Sequence, residues 1–298
     1  QGVEGVLDTA LAACGIKNRQ ADGLAMGYAR LSAGRTSIIV DAGPPATKRA
    51  SYNAHASTLA FELTSGRRPL IVSCGSGAHL TADWHRAGRA TPSHSTLCLG
   101  GYSSARLGKP TKTAGLLQEF LIEAPKTVPV EMSQTPQGIK FEGAHNGYVP
   151  PFGLTHARQL SLTLDGRSLH GEDMLIALDD TAKSHLSSIL SKGQSEPVNF
   201  QIRFHLHPEV DAALDLGGHA VSIVAKSGEV WVFRHERRLE LTLEPSVYLD
   251  KRQIEPQSSR QIVLSGVVGS ALTRIRWSLS KTLDTAVGIR DLRLEELR

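Results

Sequence analysis

The sequence predicts an all-β fold, a large antiparallel β-sandwich of the supersandwich type, on three observations. Apolar residues recur with period two in about ten short segments between Ser37 and Leu279. These segments are evenly spaced and bounded by Gly, Pro, Asn or Asp, the residues that turn a chain. Helical spacing is rare beyond residue 20, and 28 glycines and 14 prolines provide for many turns.

The segments follow in order. Residues 1–20 are the most helix-like, with Val3, Val6, Leu7 and Leu11 near helical spacing. We read 1–26 as a linker or the end of a preceding helical domain, and 27–298 as one β domain. Ser37-Ile38-Ile39-Val40 stops at Gly43-Pro44-Pro45. Leu70-Ile71-Val72 runs into Gly75 and Gly77, and Thr96 to Leu99 ends at Gly100-Gly101. Leu160, Leu162 and Leu164 alternate up to Asp165-Gly166, a two-residue hairpin signal because both residues tolerate positive φ. Alternation returns in 200–206, 221–225, 230–233, 239–243, 262–264 and 275–279. Segment 179–196 is polar and reads as a loop with a helical turn.

Composition excludes several functions. Lys and Arg number 33 against 29 Asp and Glu, a net charge of +4, and they are scattered, so no nucleic-acid patch is evident. A weakly basic surface is compatible with an acidic substrate such as a polyuronide. No apolar run approaches the ~18 residues of a membrane span. Cys14, Cys74 and Cys98 form an odd set without metal spacing and read as free thiols. The chain starts at Gln1, which reads as a processed product or a piece of something longer.

Histidines carry the candidate chemistry. His55 precedes the alternating Leu59, Phe61 and Leu63, and His94 lies between two serines. His205 and His207 flank Leu206, so a strand would put both on one face. That spacing suits a shared metal, as in a cupin-like enzyme, but no carboxylate stands at a matching position, and packing is the preferred reading. His145, Tyr148, His156 and Arg158 surround a Pro- and Gly-rich turn and could gather at one sheet end. Imidazole and phenol together suit proton abstraction and leaving-group protonation. Arginine suits a carboxylate. The alternative is structural: a buried tyrosine bonded to a strand carbonyl, and a salt bridge from Arg158 to Asp173. Gly27, Gly34 and Gly43 make no phosphate loop, and Gly75-Ser76-Gly77 lacks the surroundings of a nucleophilic serine.

The order of these segments resembles the C-terminal β domain of the heparinase II/III-like proteins, especially their proteobacterial branch. The resemblance runs through Gly27-Tyr28-Ala29-Arg30-Leu31, Asp41-Ala42-Gly43-Pro44-Pro45 and Asn53-Ala54-His55-Ala56. It continues through Arg89-Ala90-Thr91 with His94-Ser95-Thr96-Leu97, Ala144 to Tyr148, Arg203 to Pro208, and Ser246 to Leu249. The resemblance implies a polysaccharide lyase that removes the proton α to a uronate carboxylate and eliminates the glycosidic oxygen. Such chemistry needs a base, an acid and a group that neutralises the carboxylate. It further implies an upstream helical toroid supplying the catalytic tyrosine, an acidic polysaccharide as substrate, a periplasmic or envelope location with cytoplasm left open, and a metal, often zinc.

This chain departs from that pattern. Asn53 stands where the family has its catalytic histidine, and Ser73 where a ligating aspartate is usual. His55 and His94 alone remain of the implied zinc set, with Cys74 a substitute only if its strand turned. The toroid lies outside these residues, apart from a linker at 1–20. We therefore expect the β-sandwich portion of a lyase acting on uronic-acid polysaccharide and inactive alone. The alternative is a non-catalytic carbohydrate-binding or scaffolding domain. The candidate residues are Asn53, His55 and Tyr148 for chemistry, His145, His156 and Arg158 for substrate, and His55 and His94 for metal.

Overall fold

The computed structural model describes residues 23–113, 115–192 and 197–283. Two large antiparallel sheets pack face to face, as the period-two patterning predicts. Among the described residues the first has nine strands. Its spatial order is Gly23–Ala25, Tyr28–Ala33, Thr36–Asp41, Phe61–Ser65, Arg68–Val72, Asn199–Leu206, Gln257–Val267 and Glu240–Tyr248, with Leu97–Leu99 also pairing to Asn199–Leu206. The second has eight: Val130–Thr135, Gly138–His145, Thr155–Thr163, Ser168–Ile176, Leu272–Leu283, Val230–His235, Ala220–Ala225 and Val210–Asp215.

Alternation sets which residues meet between the sheets. Leu31, Ile38, Phe61, Leu63, Ile202 and Phe204 of the first sheet are buried, as are Phe141, Leu160, Leu162, Phe233 and Trp277 of the second. An aromatic cluster joins the layers. Phe61 stacks on Trp277 with centroids 5.7 Å apart, and Phe204 meets Trp277 at 4.7 Å and Phe233 at 4.8 Å. Such contacts contribute about 0.5–1.5 kcal/mol each beyond area burial. Trp277 has room because Gly171 lies opposite it, and a Cβ there would come within 2.1 Å of the indole.

The chain reverses at Asp165-Gly166, between Thr155–Thr163 and Ser168–Ile176, but not as the two-residue turn expected. Gly166 alone of the pair has positive φ, +69°, and its N–H donates to Thr163 O at 2.8 Å, which puts Leu164 and Asp165 at the centre of the turn. It abuts the other sheet, where Thr36 Oγ1 donates to Gly166 O at 2.6 Å. Segment 179–196 is corrected: Asp180–Lys192 is an α-helix. Its apolar residues Ala182, Leu186, Ile189 and Leu190 share one face against the core, and Asp179 Oδ1 caps it by accepting from Ala182 N at 2.8 Å. A second helix, Ala82–Arg89, has no counterpart in the sequence reading; Thr81 Oγ1 accepts from Trp84 N at 3.3 Å to start it. The helix expected at 1–20 lies outside the described residues, as does Cys14. Cys74 and Cys98 are free and buried, as read. Among the described residues no helix is long and apolar enough to cross a membrane.

Candidate functional site

His55 and His94 converge. Each follows a short 3-10 turn, Lys48–Asn53 and Thr91–Ser93, and each turn is fastened by buried side chains. Arg89, at the end of helix Ala82–Arg89, is 1% exposed and donates to three carbonyls: Ala54 O at 2.8 Å, Glu119 O at 2.9 Å and Ser51 O at 2.6 Å. Thr91 Oγ1 donates to Ala56 O at 2.7 Å. Asn53 and His55 therefore sit on a segment gripped from both sides.

His55 Nδ1 and His94 Nε2 are 3.2 Å apart, with the rings edge to face. A hydrogen bond between neutral imidazoles has this length. Two nitrogens on one tetrahedral zinc would also stand ~3.3 Å apart. Burial, with Arg89 adding repulsion, lowers the His55 pKa to about 4. Burial also drives His94 well below its ordinary value, with His55 and His205 adding to the shift. Both rings are neutral near pH 7.

The pair opens into a cleft of ≈ 520 Å³ also lined by Tyr28, Asp41, Asn53, Ser57, Glu62 and Ser73. Two carboxylates face it, and among the described residues no lysine or arginine lines it. Ser57 Oγ donates to Asp41 Oδ2 at 2.5 Å, and Ser73 N donates to Glu62 Oε1 at 3.1 Å.

The donor set does not fit the zinc that the resemblance implies. Structural and catalytic zinc take at least three protein ligands. Ser73 offers a hydroxyl in place of a carboxylate. Cys74 Sγ lies beside His205 Nδ1, at 3.4 Å, and burial raises its pKa against the thiolate that a metal would need. Among the described residues no group of three His, Cys, Asp or Glu is placed to hold a metal ion.

His145, Tyr148, His156 and Arg158 come together, but inside the core. They are 1%, 0%, 0% and 1% exposed. Substrate cannot reach side chains so enclosed, and the structure takes the structural alternative. This corrects the expectation that Tyr148 acts on substrate and that His145, His156 and Arg158 bind it. Tyr148 donates its hydroxyl to Leu97 O at 2.8 Å. Arg158 faces Asp173 across the strand pair, with Nε to Oδ1 at 2.8 Å and Nη2 to Oδ2 at 3.2 Å. Asp173 also accepts from Trp277 Nε1 at 2.9 Å, and His156 Nε2 lies 2.7 Å from Oδ1. His156 Nδ1 in turn meets His145 Nε2 at 3.1 Å, and His145 Nδ1 accepts from Gly147 N at 3.1 Å. One assignment satisfies the series: each ring carries its proton on Nε2 and accepts on Nδ1. Burial opposes the Asp173 charge, but Arg158 and His156 outweigh it and hold the carboxyl well below the usual range.

This core network reaches the candidate site. Arg158 Nη1 donates to Leu59 O at 2.8 Å and Ser95 O at 2.9 Å, one carbonyl on each histidine-bearing segment. Ser95 Oγ donates to Val72 O at 2.8 Å and accepts from His205 N at 3.0 Å. His205 and His207 part company. His205 bonds Ser246 Oγ at 2.8 Å and Pro92 O at 2.9 Å, whereas His207 packs on Tyr248 with centroids 5.1 Å apart. Their side chains are used in packing, as preferred. Arg89 was missed as a positioning residue, since a buried arginine at a helix end has no local signature.

The fold defines a class, the large antiparallel β-sandwich. The chain belongs to the heparinase II/III-like C-terminal family, whose profile matches residues 16–278. Solved structures with similar folds include the heparan sulfate lyase HepC of Pedobacter heparinus, at TM-score 0.62 and 14% identity over 94% of this chain and 39% of that one. A heparinase III gene product aligns at TM-score 0.64 and 12% identity over 95% and 40%. FtsZ-localized protein C of Caulobacter vibrioides is 31% identical over 265 residues, 86% of this chain and 42% of that protein. The chain thus spans well under half of each of these relatives.

Proposed function

We propose that this chain is a polysaccharide-lyase-related β domain that binds or scaffolds within a larger protein and does not carry out elimination itself. The observation that supports it best is the His55–His94 pair: two neutral imidazoles with Asn53 and Ser73 in place of the base and the third ligand. An uncharged amide cannot accept the α proton at useful rates, and two imidazoles bind zinc weakly. Two further features favour binding over chemistry. Tyr148 is locked to a strand carbonyl, and among the described residues the cleft lining pairs two carboxylates with no cation that would neutralise a uronate. A relative named for localisation with FtsZ is in keeping with a scaffolding role.

The second reading, a lyase portion that works with an upstream toroid on acidic polysaccharide, draws on His55 facing the cleft. Isothermal titration of the full-length protein with zinc separates the two. The proposal expects no stoichiometric uptake at micromolar metal. One equivalent bound through His55 and His94 would favour the lyase.

A further inference from the structure

Beside the histidine cleft, and sharing Pro44, Pro45 and Ala46 with it, runs an open groove of ≈ 1830 Å³. Five cations line it, Lys48, Arg49, Arg106, Lys112 and Lys126, against one carboxylate, Glu123. Glu123 is engaged by Arg106, whose Nε donates to it at 3.0 Å. Among the described residues Lys48, Arg49, Lys112 and Lys126 have no carboxylate within ion-pair distance. The charge is thus concentrated here, although the chain as a whole is only weakly basic.

The walls have a second property. Two short ribbons border the groove: Arg106–Leu107 pairs with Leu121–Glu123, and Thr111–Thr113 pairs with Leu116–Gln118. Each ribbon is a separate two-stranded sheet among the described residues, so no other strand covers their outer edges. In Leu121–Glu123, however, Leu121 N already donates to Ser51 Oγ at 2.9 Å, which leaves Arg106–Leu107 and the Thr111–Thr113 ribbon as the open edges. Such edges accept an added strand through main-chain hydrogen bonds. Ile122, 56% exposed, and Tyr102, 54% exposed, add apolar surface, the latter braced edge-on against Phe152 at 5.4 Å.

We propose that this groove docks an extended acidic peptide segment of a partner protein, by strand addition to a ribbon edge with glutamate or aspartate side chains reaching the lysines. Charge complementarity alone would suit a uronide equally. The uncovered strand edges favour a peptide, because only a polypeptide returns alternating N–H and C=O groups at strand spacing. The inference is independent of chemistry at His55 and stands or falls separately from the reading above.

The test is fluorescence anisotropy on the full-length protein with three probes: a labelled ~12-residue peptide alternating Glu and Thr, its Lys/Thr counterpart, and an oligoglucuronate of similar length. The Glu/Thr peptide should bind, more weakly as salt rises, and the Lys/Thr peptide should not. The double variant Lys48→Glu/Lys112→Glu, at exposed positions, should keep the wild-type circular dichroism and lose about tenfold or more in peptide affinity. No binding, binding unchanged in the double variant, or an oligoglucuronate that binds the groove at least as tightly would each overturn the proposal.

Discussion

His55 Nδ1 lies 3.2 Å from His94 Nε2, across 39 residues of sequence, and among the described residues neither ring joins a carboxylate in a metal-binding group. The two segments meet because Arg158 draws in the carbonyls of Leu59 and Ser95 while Arg89 draws in those of Ser51 and Ala54. On the proposed reading, this is the frame of a lyase site without the donors that elimination requires.

Arg158 and Asp173 should dominate stability among the polar residues. Removing one partner of a buried pair costs about 3–5 kcal/mol, because the other charge stays buried and unpaired. Arg158→Met should therefore lower the urea midpoint sharply. Asp173→Asn should do likewise while also leaving Trp277 Nε1 and His156 with a poorer acceptor. A loss under about 1 kcal/mol in both variants would show that the network is not what binds the sheets.

Stability should fall as the solution is acidified from about pH 6.5 toward 4. His55 and His205 have folded pKa values lowered to about 4, chiefly by burial, from 6.5 in the unfolded chain. Between those values the unfolded state binds more protons than the folded state, so stability rises with pH across the window. Each such histidine contributes up to ~1.4 kcal/mol per pH unit there. His94 and His145, held neutral by burial, act in the same direction. Urea melts at several pH values would show this slope; a flat profile across the window would contradict it.

Restoring the missing donors should restore metal. Ser73 lines the cleft with His55 and His94, so Ser73→Asp supplies the third ligand and Asn53→His a neighbouring imidazole. The double variant should take up about one zinc where the natural sequence takes none, as zinc needs three or four ligands. Equal uptake by both proteins would refute the ligand-count argument.

Arg89 should control the order of the histidine-bearing loop. Arg89→Ala removes three donors, to the Ser51 and Ala54 carbonyls of one loop and to the Glu119 carbonyl remote from it in sequence. Amide hydrogen exchange in 51–57 should speed up by about tenfold or more, while exchange in the strand pair at 155–176 stays slow. Uniform acceleration throughout would instead indicate global destabilisation.

The sheets were legible in the sequence because strand alternation and turn residues are local signals. The strands read at 200–206 and 221–225 form, and the hairpin read at Asp165-Gly166 forms with Leu164 and Asp165 at the centre of its turn. Helix Asp180–Lys192 reads from sequence only as a loop with a helical turn because its stripe of Ala182, Leu186, Ile189 and Leu190 is diluted by serine and lysine. The convergence of His55 and His94 followed from segment order. The burial of Tyr148 and Arg158 stood as one of two open readings that the sequence could not decide between, and that of His156 was not foreseen. Their partners Leu97, Asp173 and Trp277 are remote in sequence, and a polar residue at a sheet end reads alike whether it faces solvent or core.

The central claim, that this domain has kept the lyase framework and lost its chemistry, is tested most directly by turnover. The full-length protein should be incubated with a panel of uronic-acid polysaccharides, with and without added zinc, and the unsaturated product followed by its absorbance. The account predicts no product above the rate without protein, because Asn53 cannot act as the base and losing an acid or base typically costs about 10²–10⁴-fold. Product that forms readily and is abolished by His55→Ala would contradict it.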